Sequence, residues 1–550
     1  GETFSLAQPV LRDAAPAFDP QGKYLYFLSY RHFDPVYDNL QFDLNFPRGM
    51  KPYLITLQKD LPSPFVPVPR APGEKSAEKE REKEKGEEKN GGQPEEKNGK
   101  DEKPLQIDLD GIADRILAFP VDEGLYGRIL GTKEGKVLYS RYPVEGSLNQ
   151  PFPPPTEPSA KGTLLVYDFE EQKEDFLLYG ITDFEVSRDG KTMIYRAGNR
   201  LRMLKAGVKP EAKPFNGPAR DNGWLNLDRV GVPVMPGAEW RQMFREAWRL
   251  QRDHFWTPEM SQVDWIAVHD RYLPLVDRVC SRAEFSDLMW EMQGELGTSH
   301  CYELGGDYRP EPDYHQGHLA ADFEYDAATD SWRIVHIVRG DAWEERGDSP
   351  LNEPGVNVKE GDRVIAINGR KLNRAFHPAA ALVNQAGSEV TLSIAGDGDD
   401  TPRTVTVRTL RNESAARYRE WVENNRRHVH EATGGRVGYV HIPDMGPQGY
   451  AEFHRSYLAE VDREGLVVDV RFNRGGHVSP LLLEKLARRR IGYSVQRWAQ
   501  VPEPYPVESV LGPMVALTNE LAGSDGDIFS HGFKLFKLGP LLGTRTWGGV

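Results

Sequence analysis

Two glycine-rich turns carry the residue types that acyl-transfer chemistry needs. Asn473-Arg474-Gly475-Gly476-His477-Val478-Ser479 and Ala522-Gly523-Ser524-Asp525-Gly526-Asp527 each follow a near-continuous apolar run and lead into a helical pattern. Glycines at such a strand-to-helix turn let backbone N–H groups point into a crevice, where they can stabilise a developing oxyanion. Ser524 stands at a helix N-terminus, where a serine is ordinarily an N-cap. As a nucleophile it would need a base. Gly297-Thr298-Ser299-His300-Cys301-Tyr302-Glu303 offers His300, just past a helix end and flanked by small polar residues able to orient its ring. Taken singly, Ser524 reads as a cap, and His300 is as readily structural as catalytic.

Other candidates carry less. Asp525 and Asp527 could form an acid–base pair or half a metal site, but acids in the first turn of a helix are what the helix dipole selects. His477 and His531 lack an HExxH or comparable spacing, and His254, His428 and His430 read as surface residues. Neither a P-loop nor a GxGxxG follows a strand, so no cofactor and no metal is called for. The two cysteines, Cys280 and Cys301, make neither a disulfide framework nor a zinc site, which fits a reducing cytoplasm. Acidic residues outnumber basic ones 83 to 69, and the net charge of −14 repels a phosphate backbone, arguing against nucleic acid as a partner. No apolar run approaches the roughly 18 residues of a membrane span.

The elements around these turns divide the 550 residues into four pieces. Residues 1–214 read as a partial β-propeller of about three blades. Gly22-Lys23, Gly135-Lys136 and Gly190-Lys191 each open an alternating strand, and a second strand follows each time at Lys51–Leu57, Thr163–Asp168 and Leu201–Leu204. Residues 73–104 are a Glu/Lys/Gly tract with nothing to bury, expected to be a disordered insertion in the first repeat. Residues 215–306 read as a small helical domain: Trp240, Met243, Phe244, Ala247 and Trp248 share one helix face, and a second helix runs from Ala283 to Leu296. Residues 307–412 hold Asn357–Leu372, whose apolar run between Gly-Asp and Asn-Gly turns is the strand-turn core of a PDZ domain. Residues 413–550 read as an α/β unit: a charged helix over Ala415–Ala432, then apolar strands at Val437–Ile442, Gly465–Arg471 and Pro513–Asn519. Such runs are buried parallel strands in a βαβ pattern, with sites expected at their carboxyl ends.

The order and spacing of these features, a helical unit with Thr-Ser-His, a PDZ unit, Arg-Phe-Asn-Arg-Gly-Gly-His-Val-Ser and Ala-Gly-Ser-Asp-Gly-Asp-Ile-Phe, closely resemble the tricorn protease family from about Pro236 to Val550. The blades fit the second of that family's two propellers. The resemblance implies a crotonase-like α/β catalytic domain and a cytoplasmic serine peptidase that hydrolyses oligopeptides left by larger proteases. In it Ser524 is the nucleophile, His300 the general base, Ser299 the residue orienting His300, and the N–H groups of Gly476 and Asp525 the oxyanion hole. It also implies a homo-oligomer, a hexamer in relatives, with aminopeptidases as associates. A glutamate holding the orienting serine is expected beyond Trp547-Gly548-Gly549. With no initiator Met, no signal-peptide pattern and a last residue that opens an apolar stretch, both ends are expected to be cut. Two departures stand out: Arg474 replaces a family glycine, and the acidic residue credited with a basic P1 preference aligns near Ser494. Two rivals are a carboxyl-terminal-processing-type protease with a Ser/Lys dyad and a non-catalytic propeller–PDZ scaffold; were cleavage to survive loss of His300, Lys534 would be the next base to test. The Ser299-His300 pair argues against the first, and the retention of both serine and histidine against the second.

Overall fold

The computed structural model describes residues 3–6, 12–66, 105–148, 150, 155, 157–211, 217–305, 311–344, 347–396 and 401–550. The tract at 73–104 lies outside these. The chain divides into two compact units, Gly1–Val234 and Met235–Val550.

The first unit is built of antiparallel sheets. Strands β1 (Asp13–Phe18), β2 (Tyr24–Ser29), β5 (Lys51–Thr56) and β6 (Ile116–Ala118) form one. Strands β7 (Leu125–Gly131), β8 (Lys136–Tyr142), β9 (Gly162–Asp168) and β10 (Lys173–Ile181) form the next, and β11 (Asp183–Val186), β12 (Thr192–Ala197) and β13 (Arg200–Lys205) the third. A short hairpin, β3 (Val36–Tyr37) with β4 (Leu44–Asn45), stands apart. Three antiparallel sheets stand where the repeats were read. In each, the strand after the Gly-Lys turn pairs along its length with the second strand, as Tyr24 with Thr56, Lys136 with Asp168 and Thr192 with Lys205. Between the first two lies an aromatic core of Tyr26, Phe119, Tyr126, Tyr139 and Tyr167, packed largely edge to face.

The second unit begins with three helices, α1 (Pro236–His254), α2 (Trp265–Val276) and α3 (Arg282–Gly294). The apolar face read on α1 packs as expected: Phe244 is buried, with Trp240, Met243, Ala247 and Trp248 against the same core. Asp264 and Ser281 cap α2 and α3 through their side chains. A six-stranded antiparallel sheet follows, β14 (Ala321–Asp326), β15 (Ser331–Ile337), β16 (Arg363–Ile367), β17 (Arg370–Lys371), β18 (Glu389–Ala395) and β19 (Arg403–Arg408), with the four-residue helix α4 (Pro378–Ala381). Helix α5 (Ser414–Thr433) leads from it to the last sheet. Its Arg419, 5% exposed, reaches Asp341 at 3.1 Å and Glu452 at 2.5–2.6 Å, while Arg455 grips Asp341 at 2.6 Å. Burial alone would push the Asp341 carboxyl up, but the guanidinium groups of Arg455 and Arg419 hold it below the ordinary carboxylate value.

The last sheet is wholly parallel, in the order β20 (Val437–His441), β21 (Gly465–Asp469), β24 (Met514–Thr518) and β25 (Leu541–Gly543). Helices α6 (Pro447–Glu460), α7 (Ser479–Leu486) and α8 (Asp525–Leu535) follow the first three of these strands, with a hairpin of β22 (Gly492–Ser494) and β23 (Glu503–Tyr505) inserted after α7. Parallel strands with crossover helices must bury both faces, and Val440, Val468, Val470 and Ala516 are fully enclosed with Phe453, Phe529 and Phe533 from the helices. Two details differ from expectation. Helix α7 stops at Leu486, short of the arginines 488–490, of which Arg490 turns toward Asp462 and Ser509. The fourth strand, β25, is too short to announce itself.

Candidate active site

The three turns at the carboxyl ends of β20, β21 and β24 are joined at one residue, Asn473, by its side chain and its backbone carbonyl. It is fully buried. Its Nδ2 donates to the Ile442 carbonyl after β20 (2.9 Å), its Oδ1 accepts the Gly475 N–H within its own turn (2.9 Å), and its carbonyl accepts the Gly523 N–H after β24 (3.0 Å). Met445 secures the same junction from the β20 side, donating to the Gly475 carbonyl and accepting the N–H groups of His477 and Val478 at 2.7–2.9 Å. A Cβ at position 476 would stand 2.0 Å from the Met445 carbonyl oxygen, and the backbone there has φ +147°, so only glycine fits.

Ser524 occupies the N-cap position of α8 but does not cap it. Its side chain makes no cap hydrogen bond, and its backbone lies at φ +56°, ψ −120°. A non-glycine residue in that region costs about 1–3 kcal/mol and persists where the surroundings over-determine it. What the strained turn does is aim Oγ outward, where it lies 2.8 Å from Nε2 of His300. His300 itself has φ +64° in the loop after α3. Its Nδ1 is 2.8 Å from Ser299 Oγ, and the Ser299 hydroxyl donates to the carbonyl of Gly549. With its one proton given to Gly549, Ser299 can only accept at Nδ1, so the imidazole carries its hydrogen on Nδ1 and turns a lone pair on Nε2 toward Ser524. Trp547 packs near the His300 ring, with centroids 5.9 Å apart, and Tyr302 lies on another side at 5.8 Å.

Of the other residues singled out, Asp525 follows Ser524 directly, and Gly476 follows Gly475, at which a Cβ would stand 3.2 Å from Ser524 Oγ. Among the described residues neither N–H group is engaged by a hydrogen bond within the protein. The Asp525 carboxylate has a task of its own: it accepts the N–H of Ser479 at 2.9 Å and the Ser479 hydroxyl at 2.6 Å. One acid thus sits at the head of α8 and caps α7, favoured by both dipoles and binding the two helix starts together. Asp527 accepts the Gly548 N–H at 2.9 Å, which holds the turn whose next carbonyl receives Ser299.

Below the crevice, His441 is buried between the Tyr418 hydroxyl (3.0 Å from Nδ1) and the Arg471 carbonyl (3.0 Å from Nε2). A ring that accepts on one side and donates on the other is neutral, and burial lowers its pKa accordingly.

The remaining sequence candidates fall away from the site. Lys534 lies in the last turn of α8, about ten residues and hence about 15 Å of helix from Ser524, too far to serve as its base. His477 and His531 are exposed and join no metal-ligand cluster among the described residues, and both cysteines are free. His430 corrects the surface reading, for its Nε2 meets the buried Glu460 at 3.0 Å. Asn473, Asp527 and Trp547 acquire their places through contacts remote in sequence. The sequence set each in a noted turn, but not the contacts that give Asn473, Asp527 and Trp547 these places.

Residues 1–207 match the model of the tricorn protease second beta propeller domain and 236–294 that of the tricorn protease C1 domain. Residues 317–412 match the tricorn protease PDZ domain and 436–550 peptidase family S41. Tricorn protease homolog 1 of Streptomyces coelicolor is 41% identical over 544 residues, covering 98% of this chain and 48% of that protein. The tricorn protease homolog of Saccharolobus solfataricus is 41% identical over 553 residues, 100% and 47%. The crystal structure of the tricorn protease superposes with a TM-score of 0.83 at 34% identity, covering 100% of this chain and 49% of that one. The chain belongs to the tricorn protease family. It spans about half the length of the relatives it matches. Propeller, PDZ and peptidase pieces are thus those expected from the tricorn resemblance, and no described helix is long and apolar enough to cross a membrane.

Proposed function

We propose that this tricorn relative is a serine peptidase acting on oligopeptides through an acyl-enzyme. Ser524 Oγ attacks the scissile carbonyl while His300 Nε2 takes its proton, later returning it to the leaving amine. Ser299 keeps the ring in the productive tautomer. The N–H groups of Gly476 and Asp525 donate to the developing oxyanion, and because they are fixed before reaction they cost no reorganisation. The observation that carries this reading is the relay Gly549–Ser299–His300–Ser524 beside two unengaged N–H groups. The PDZ sheet supplies a strand edge on which an extended peptide can add, and the working form is a homo-oligomer, as the family resemblance implies.

A fluorophosphonate probe tests the assignment. The wild-type protein labels and Ser524→Ala does not. His300→Ala folds normally and loses peptide cleavage by about 10⁴–10⁶-fold, the range for removing a member of such a relay. A wild-type protein that never labels would leave a peptide-binding scaffold in its place, and labelling that survives Ser524→Ala would locate the nucleophile elsewhere.

A further inference from the structure

In the first unit one carboxylate is buried without a donor. The Glu123 side chain, between β6 and β7, is only 7% exposed, and its Oε1 is enclosed and accepts no hydrogen bond. Its backbone is pinned there, since the next residue, Gly124, donates to the Met50 carbonyl at 3.0 Å. An ionised oxygen held in such a place calls for a positive charge. The group facing it is His32, in the segment joining β2 to β3, whose Nε2 lies 3.3 Å from Oε1 without forming a hydrogen bond. Two residues on, Asp34 brings a second carboxylate to the same point. One ligand atom from each of the three lies within 4.8 Å of the others. It is the one such grouping of three or more ligand-bearing side chains among the described residues, and His32 and Asp34 keep it open to solvent.

An imidazolium would neutralise one of the two carboxylates and leave the other. A divalent cation bound by all three neutralises both and gives Oε1 its missing partner. We propose that His32, Asp34 and Glu123 bind a divalent transition-metal ion of the zinc and manganese class. One imidazole nitrogen with two carboxylate oxygens is a borderline donor set: imidazole suits zinc, copper, iron and nickel, carboxylates suit manganese, and Ca²⁺ and Mg²⁺ prefer shells of oxygen alone. Three protein ligands leave a coordination position for water. The ion pins the 30–35 segment of the first blade to the turn that starts the second. It stands in the propeller unit and takes no part in the relay around Ser524.

The test uses Co²⁺ as a visible reporter on the full-length protein stripped with a chelator, followed by displacement with Zn²⁺. Wild type develops d–d absorption saturating at one Co²⁺ per chain, bleached by one equivalent of Zn²⁺, and zinc raises the unfolding midpoint. Glu123→Gln, Asp34→Asn and His32→Ala each weaken binding by about tenfold or more. Because Glu123 is buried, His32→Lys is the decisive companion: it keeps a cation beside Glu123 and preserves the circular dichroism spectrum, yet loses the cobalt bands. Wild-type protein without those bands at millimolar Co²⁺, or bands that persist in His32→Lys, would overturn the proposal in favour of a simple His32–Glu123 ion pair. Peptidase activity is read in parallel, and its presence or absence bears on Ser524 alone.

Discussion

Replacing Gly475 by alanine probes the crevice at its tightest point. A Cβ at position 475 would meet Ser524 Cβ at 2.6 Å and Oγ at 3.2 Å. Carbon atoms rest about 3.5–4.0 Å apart, so the two turns must separate by about 1 Å. A displacement of that size in a reacting group costs about 100-fold in rate, or about 2.7 kcal/mol of barrier. Residue 475 also has φ +77°, and a side chain there adds about 1–2 kcal/mol of backbone strain to the folding equilibrium. Gly434, which ends α5 at φ +60°, separates the two effects, because a Cβ there meets nothing within 4 Å. Second-order rates of fluorophosphonate labelling and kcat/KM for a peptide, measured where all variants remain folded, should fall about 100-fold in Gly475→Ala. Gly434→Ala should lose comparable stability and keep its rate. Labelling of Gly475→Ala within about twofold of wild type would refute the claim that the Gly475 turn sets the position of the Ser524 hydroxyl.

The other predictions concern the supports of the site. Asp525→Asn keeps one acceptor oxygen for the two Ser479 donors, so loss of one charge-assisted bond should lower stability in urea by about 2 kcal/mol, with Ser479→Ala costing less; unchanged stability would dismiss the tie between α7 and α8. His441, neutral in the fold with a lowered pKa, gains a proton more readily when unfolded. Stability is therefore full above the ordinary histidine value of about 6.5 and declines as pH falls below it, a slope that should flatten in His441→Gln when the unfolding midpoint is followed against pH. Arg419→Ala strands Glu452, 7% exposed, and should cost about 3–5 kcal/mol by denaturant unfolding, a loss that a surface ion pair would not produce.

What could be read without coordinates was whatever local chemistry dictates. Apolar runs bounded by glycine turns placed β20, β21 and β24 almost to the residue, and the Gly-Lys turns marked strands of three antiparallel sheets, because turn geometry and burial on both faces act on neighbours in sequence. Ser524 and His300 were each visible as residue types in suggestive settings, yet they are 224 positions apart. No periodicity brings them to 2.8 Å; the family resemblance joined them before the fold did. His430 was misread for the same reason. A histidine on a charged helix looks solvated until Glu460, thirty residues on, is seen buried beneath it. Asp525 kept a second duty out of view, since a helix-start acid gives no sign that it caps a different helix.

Asn473 gives the crevice a dynamic character as well as a shape. Three strand-end turns meet at one enclosed residue, its side-chain amide tying two of them and its backbone carbonyl the third, so a turn that swings out strands a buried polar group. The amide protons of Gly475 and Gly523, both bonded to Asn473, are accordingly expected to exchange with solvent together when followed by hydrogen exchange. Whatever enters the crevice therefore meets a floor whose three turns share one buried anchor.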